Sequence, residues 1–509
     1  MRLSKEQLIQ KIKQTLKQVG TSQMSQSPYD LGWLLRLPAG RHGLPDSKNP
    51  RKPRYPQIIS WLEKLQHKDG SWGGQIPFAH DRVISTLSVI AGLSHWPLNE
   101  KWRGRIAKAV KAVEINSKKL LKESEATVAF ELLFPKLLRE VKNSGRTVNI
   151  PSKILKHYQN LQKQKLDKLP IAAAMKYPTT LLHALEALDE NKIDLRKFEK
   201  FQSPGGSFGC SPASTAFMLL NNIGGKKAER YLDVLVEKGA VPVLWPMEIF
   251  EINWCLFPFF FFGISNQFSE LMKSRLAHLK RWWTKRGIGL SKEFFAPDID
   301  DTLTAFYLLQ KSGIKLNQTV FEHFETKDGF VCYPGERAGS ASHYADLFFA
   351  FETCSLDSRI ERMKKKVLTF LLKTQTRDGF WNDKWNISPH YATARVVLAL
   401  MNEKSAKAAV SKAIHWILQS QHSNGLWGFK NGTAEESAFA LSALLLYNKK
   451  NDTAQQALRR GIKALSDRFG YFNYQELWIG KSLYAPTAIA ELAIWPVLFA
   501  YLYEKSDEK

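Results

Sequence analysis

The stretch Gln66-His67-Lys68-Asp69-Gly70-Ser71-Trp72-Gly73 closes one helical run and precedes another, which starts near Asp81. Its pattern is a polar turn, a glycine and an aromatic residue. The pattern recurs as Gln202-Ser203-Pro204-Gly205-Gly206-Ser207-Phe208-Gly209 and as Lys327-Asp328-Gly329-Phe330. It returns again as Gln375-Thr376-Arg377-Asp378-Gly379-Phe380-Trp381 and Gln421-His422-Ser423-Asn424-Gly425-Leu426-Trp427-Gly428. Asp328, Asp378 and Asn424 are separated by 50 and 46 residues. Helical runs with small or hydroxyl residues near their starts lie between the copies, such as Ser214-Thr215-Ala216-Phe217 and Glu436-Ser437-Ala438-Phe439. Two helices plus turns fit that period. Almost no segment alternates as a strand would. The fold class is therefore expected to be all-α. Such hairpins stack into an open solenoid, which serves as a binding scaffold, or close into barrels of inner and outer helices. The irregular spacing before residue 320 favours closed barrels around a cavity.

At 509 residues the chain exceeds one hydrophobic core, so two or three domains are expected. A formal charge of +25 predicts an anionic partner: nucleic acid, acidic lipid or a phosphorylated small molecule. The basic residues are scattered, with short runs such as Lys364-Lys365-Lys366, and no nucleic-acid module is recognisable. No nucleic-acid partner is expected. Cys210, Cys255, Cys332 and Cys354 have neither paired nor zinc-type spacing and read as buried thiols in a reducing cytosol. The first twenty residues lack a signal-peptide apolar core, which also predicts a cytoplasmic protein. The apolar runs Trp254 to Ile264 and Leu492 to Leu502 are shorter than the about 20 residues of a membrane span. They read first as core helices and second as peripheral membrane contacts.

The stretch Ala296-Pro297-Asp298-Ile299-Asp300-Asp301-Thr302 places three carboxylates before an apolar helical run. Asp298 and Asp301 share a face of a first helical turn. Carboxylates this close do not all ionise cheaply, so the cluster holds a proton and titrates as a unit. It can serve as a Brønsted acid, a metal site or a helix N-cap. These residues alone leave the three open.

The turns together with Asp298-Ile299-Asp300-Asp301-Thr302 resemble the QW repeats and acid motif of class II terpene cyclases. Further motifs narrow the likeness. Ser27-Pro28-Tyr29-Asp30-Leu31-Gly32-Trp33, Asp81-Arg82-Val83-Ile84-Ser85-Thr86-Leu87 and Phe130-Glu131-Leu132-Leu133-Phe134-Pro135 resemble segments of copalyl diphosphate synthases. So do Tyr177-Pro178-Thr179-Thr180-Leu181-Leu182-His183-Ala184-Leu185-Glu186 and Trp283-Thr284-Lys285-Arg286-Gly287-Ile288-Gly289. Glu476-Leu477-Trp478-Ile479-Gly480-Lys481-Ser482-Leu483-Tyr484-Ala485-Pro486 is similar to the bacterial diterpene cyclases, including halimadienyl diphosphate synthase. The resemblance covers about residues 20 to 500, and the chain is expected to lack the extra domain of plant enzymes.

The resemblance implies two α-helical barrels in a βγ architecture. The γ barrel is expected at 25–265, and the β barrel at 1–24 plus 266–509. It implies cyclisation of geranylgeranyl diphosphate to a labdane, halimane or clerodane diphosphate, begun by protonation. Farnesyl diphosphate to a drimane, or a triterpene, are the other cyclase readings. Asp300 would be the acid, with Asp298 and Asp301 orienting it. Trp282, Trp283, Phe294, Phe295, Tyr333, Trp381 and Tyr391 are candidate aromatic walls for a carbocation. His183 is the candidate terminal base, or else a core histidine. The position where the family's Asn partner would stand is Val243. Glu123 and Glu125 would hold Mg2+ near the diphosphate, for which Lys481 and Arg337 are candidate partners. The sequence has no DDxxD cluster, so the product should keep its diphosphate. A class I terpene synthase or a phosphatase would then consume it.

Overall fold

The computed structural model describes residues 3–39, 52–334, 339–447 and 452–504. After α1 (Lys5–Gln18) come α2 (Pro28–Leu34), α3 (Gln57–Leu65), α4 (Ala79–Leu93), α5 (Glu100–Ser117) and α6 (Phe130–Asn143). Next are α7 (Ser152–Lys168), the short α8 (Ile171–Ala174), α9 (Pro212–Leu220) and α10 (Gly225–Glu237). The second half holds α11 (Glu248–Phe261), α12 (Ser269–Trp282), α13 (Ile299–Lys311), α14 (Ala341–Phe351) and α15 (Ser358–Thr374). It continues with α16 (Pro389–Leu400), α17 (Lys407–Gln419), α18 (Ala434–Tyr447), α19 (Asp452–Ser466) and α20 (Thr487–Phe499). Strands β1 (Trp478–Ile479) and β2 (Leu483–Tyr484) form an antiparallel hairpin.

Helices α11, α13, α14, α16, α18 and α20 pack each on the next, and α20 returns to α11, closing a ring. Around it lie α12, α15, α17, α19 and α1. A smaller ring joins α2, α4, α6, a 3-10 segment at Thr180–Ala187 and α9, with α3, α5, α7 and α10 outside. The two classes of helix differ in sequence for a physical reason. Outer α19 buries Ala454, Ala457, Leu458, Gly461, Ile462 and Leu465, one stripe at helical spacing. Inner α13 and α4 are buried on nearly every face, which is why their sequences mix Ser, Thr and Ala with large apolar residues.

The cores are separate. One draws on residues from Tyr29 to Val241, and the other gathers Leu8 to Met24 with Val243 to Ala500, plus Ile76. The crossover lies between Val241 and Val243, ahead of the boundary expected at 265. The reason is α11, whose Ile252, Cys255, Leu256 and Phe259 bury into the second core between α13 and α20.

The recurrent turns are joints between outer helices. Gln66 donates from its amide to the Gly70 and Arg105 carbonyls at 2.9 and 3.2 Å. Gln202, Gln375 and Gln421 repeat that double donation. The indole N–H of Trp72, Trp381 and Trp427 donates to the last carbonyls of the preceding outer helix, at Leu62, Leu371 and Ile417. Trp381 is thus a fully buried joint and not a wall of a substrate cavity.

The β hairpin stitches the barrels together. Gly480 accepts from the Val128 N–H at 2.8 Å, and the Leu483 N–H donates to Asp81 at 3.1 Å. Ser482 and Ser27 share a hydroxyl bond at 2.9 Å. Asp81 also accepts from the Gly74 N–H, and Asp30 accepts from the Ala213 N–H. Those two motif aspartates hold the frame.

Candidate active site

A largely apolar cleft with a cavity volume of about 150 Å³ runs between the rings. The acidic cluster, Leu290 and Phe294 line one part, and Thr180, His183 and Val128 another. Phe250, Trp254, Tyr333, Trp385, Tyr391, Trp478 and Tyr484 supply aromatic wall. Trp254 and Phe250 stack at 4.2 Å between centroids, and Trp478 meets both edge-on.

Asp298 is the N-cap of α13. Its Oδ1 accepts the Asp301 N–H at 2.8 Å. The Ile288 carbonyl accepts from both the Asp298 N–H and the Thr302 hydroxyl, which seats this helix end on the preceding loop. Gly287 in that loop has φ +99°, and a Cβ there would strike the Thr302 side chain, so only glycine fits. The cap reading of Asp298 is correct, and the cap leaves the Asp300 carboxyl free for other contacts.

Asp300 is 6% exposed, and its Oδ2 accepts the Cys332 thiol at 3.0 Å. Its Oδ1 has no hydrogen-bond partner and lies 4.0 Å from Nδ1 of the fully buried His343. His343 Nε2 accepts the Ser340 N–H, so the ring proton sits on Nδ1, facing Asp300. Asp301 accepts from the Asn253 amide at 2.8 Å. Burial, followed by the Asp298 charge, pushes the Asp300 carboxyl well above the usual carboxylate range. Burial pushes Asp298 and Asp301 up as well, followed by the Asp301 charge for Asp298 and the Asp300 charge for Asp301. The cluster therefore keeps protons at neutral pH, as an acid catalyst requires.

His183 donates from Nδ1 to the Gly209 carbonyl at 2.9 Å, which leaves the lone pair on Nε2. Burial and the nearby Lys481 charge lower it to about 4, so it is a neutral base at pH 7. Val243 is fully buried in the second core and packs near Gly480.

The sequence candidates divide. Phe294, Tyr333, Tyr391, His183 and the three aspartates line the cleft. Trp282 is 37% exposed, and Trp283 lies 6.1 Å from Phe306 on the second core, so neither is a cleft wall. Phe295 packs behind Phe294 against the first core. Lys481 is corrected outright: its Nζ is fully buried and committed to Glu186, Ser211 and the His183 carbonyl at 2.5, 2.6 and 2.8 Å. Arg337 lies outside the described residues. Among the described residues, no lysine or arginine lines the cleft.

Of the expected metal pair, Glu123 is engaged elsewhere. Glu123 caps α4: its two oxygens accept the Ala79 N–H at 2.6 Å, the His80 N–H at 3.2 Å and His80 Nδ1 at 2.7 Å. Glu125 stands near Asp383, and burial raises it to about 7. Glu123→Ala should therefore cost about 1–2 kcal/mol of stability, the usual worth of a cap, without changing any magnesium requirement. Thermal melts and a magnesium titration check this; a raised magnesium requirement at unchanged melting temperature would refute the cap.

Cys332, His343, Asn253, Phe250, Trp254, Trp385, Trp478 and Tyr484 escaped the sequence reading as site residues. Trp478 and Tyr484 lie inside a quoted motif, and Trp254 begins a quoted apolar run. Cys332 lies two residues after the third turn copy, which was the only signal for it.

A family model of the squalene-hopene cyclase C-terminal domain matches residues 345–470. Copalyl diphosphate synthase 2 of Selaginella moellendorffii is 31% identical over 387 residues, covering 75% of this chain and 51% of that protein. A (-)-kolavenyl diphosphate synthase of Tripterygium wilfordii is 32% identical over 382 residues, covering 74% and 45%. The chain is similar to these diphosphate synthases over about three quarters of its own length. It spans about half the length of the curated relatives it matches. The fold is that of ent-copalyl diphosphate synthase from Streptomyces platensis, with a TM-score of 0.77 at 24% identity over 97% of this chain and 99% of that one. No helix among the described residues is long and apolar enough to cross a membrane.

Proposed function

We propose that this chain cyclises geranylgeranyl diphosphate to a bicyclic labdane-related diphosphate, starting by proton transfer from Asp300. The observation that carries the proposal is a set of three buried, proton-holding carboxyls on the wall of an aromatic cleft. Asp300 Oδ2 accepts the Cys332 thiol, which leaves Oδ1 to carry the proton. The proton goes to the terminal alkene carbon, and the cation is attacked in turn by the internal alkenes. Aromatic faces from Trp254, Trp478 and Tyr391 stabilise it without offering a nucleophile. A neutral Nε2 on His183 takes a proton from the final cation, directly or through water.

The diphosphate stays on the product, so the next enzyme is a class I synthase or a phosphatase. Magnesium would accompany the diphosphate and offset its charge, and Glu125 is the acidic residue of the expected pair that remains to hold it. Four cysteines outside any disulfide suit a reducing, cytoplasmic setting. The test is incubation of the protein with farnesyl, geranylgeranyl and geranylfarnesyl diphosphate and with squalene, followed by dephosphorylation and product identification. Turnover of none of them would overturn the proposal.

For His183→Ala we expect a changed product, hydroxylated or rearranged. Substrate consumption should slow by less than the about hundredfold typical of losing a general base in a limiting step. A lowered melting temperature with an unchanged product would make His183 a core residue only.

A further inference from the structure

The aromatic wall of the cleft is also the roof of a second apolar chamber. That chamber is narrow, with a cavity volume of about 60 Å³, and is lined by Phe257, Phe261, Leu398, Phe439, Ile489 and Ala493, with Arg395 and Ser442. Trp254 and Tyr391 line both spaces. The helices explain the stacking. On α11, Phe250 faces the cleft, Trp254 lies one turn on, and Phe257 and Phe261 lie further down the same face. On α16, Tyr391 leads to Ala394, Arg395 and Leu398 in the same way. The chamber therefore continues the cleft along the interior of the larger ring, about one to two helical turns of about 5.4 Å deeper. The partition is bonded: the Trp254 indole N–H donates to the Tyr391 hydroxyl at 3.0 Å, and both residues are buried. Beneath it the Arg395 guanidinium, paired with Asp346, sits 4.2 Å from the Phe257 ring centroid.

We propose that the Trp254–Tyr391 pair is the floor that sets substrate chain length in this protein. The inference rests on the cyclase reading above. With the floor closed, a prenyl tail ends beside Asp300. With it open, the tail of a longer prenyl diphosphate enters the space vacated by the floor and the lower chamber, whose walls are apolar apart from Ser442 and the Asp346-paired Arg395, and an alkene one unit nearer the diphosphate meets the acid. The chemistry is otherwise unchanged: Asp300 gives one proton to that alkene, ring closure follows, and the final cation returns one proton to base.

The experiment measures kcat/KM for geranylgeranyl and geranylfarnesyl diphosphate in the wild type, Trp254→Ala, the milder Trp254→Leu and Tyr391→Phe. It adds Ala493→Phe, which fills the lower chamber, alone and combined with Trp254→Ala. The expected result is a shift in the ratio toward geranylfarnesyl diphosphate of about tenfold or more in the Trp254 variants, in the range a hydrophobic pocket discriminates. The shift should be smaller in Tyr391→Phe, which keeps the ring, and absent in the combined variant. Ala493→Phe alone should turn over geranylgeranyl diphosphate as the wild type does. If the wild type converts geranylgeranyl diphosphate and both Trp254 variants keep the wild-type ratio, the floor assignment is wrong. A shift that survives filling of the chamber also overturns it. A wild type inactive on every prenyl diphosphate overturns the cyclase reading itself, and the floor assignment with it.

Discussion

Asp300→Asn abolishes turnover, with a loss of about ten-thousand-fold, the upper end of what a general acid supplies. The amide keeps the shape and can still accept the Cys332 thiol, but it has no transferable proton. Asp298 keeps its cap on α13 and Asp301 its bond to Asn253, so the fold should survive. Stability gives an independent sign. The folded-state affinity of Asp300 for a proton is raised by burial, so its contribution is fully present below the unfolded value of about 3.9. That contribution is lost as pH rises toward the raised folded value. The variant should therefore melt at or above the wild-type temperature at pH 7 and above, while the wild type alone loses stability with rising pH on this account. Wild-type activity should likewise decline on the alkaline side, where the cluster gives up its protons. Product quantification by mass spectrometry and melting curves against pH measure both. Turnover within tenfold of wild type would remove Asp300 from the acid role.

Lys481→Ala should destabilise the protein by about 3–5 kcal/mol, the cost of leaving one member of a buried ion pair alone. Lys481 and Glu186 are both fully buried, and they join the β hairpin of one barrel to the 3-10 segment of the other. Glu186 also accepts from Tyr29 and Ser214 at 2.9 and 2.6 Å, and the lysine charge helps to hold it ionised. Removing the ammonium strands that carboxylate and frees the His183 carbonyl. Pairing Lys481→Met with Glu186→Gln should recover most of the loss, because the uncompensated charge is gone. Denaturant melts of the single and double variants decide. A raised KM for substrate at unchanged stability would return Lys481 to the diphosphate.

The acid cluster was legible in sequence because it is local. Three carboxylates within one helical turn share a fate wherever the turn is buried, and an N-cap aspartate is a property of its own few residues. The helical hairpins were legible for the same reason, through turns whose Gln and Trp bond within one joint. The same local logic misassigned Trp381, since a tryptophan in a joint and one in a wall have identical neighbours in sequence. Glu123 and Lys481 failed in a related way. A charge declares that it needs a partner but not which, and the choices were made by residues 43 and 295 positions away.

Sequence alone determined the all-helical hairpin plan, the acid motif, the candidate base and the likeness to cyclases. Tertiary structure alone decided what surrounds the acid cluster: Cys332 bonds Asp300, His343 lies 4.0 Å from it and Asn253 bonds Asp301, each from another segment. It also decided where the cavity ends, because Trp254 and Tyr391 meet only when α11 and α16 close into one ring. Helix periodicity and turn chemistry are written in nearby residues, whereas a partner and the floor of a cavity depend on which distant faces the ring brings together.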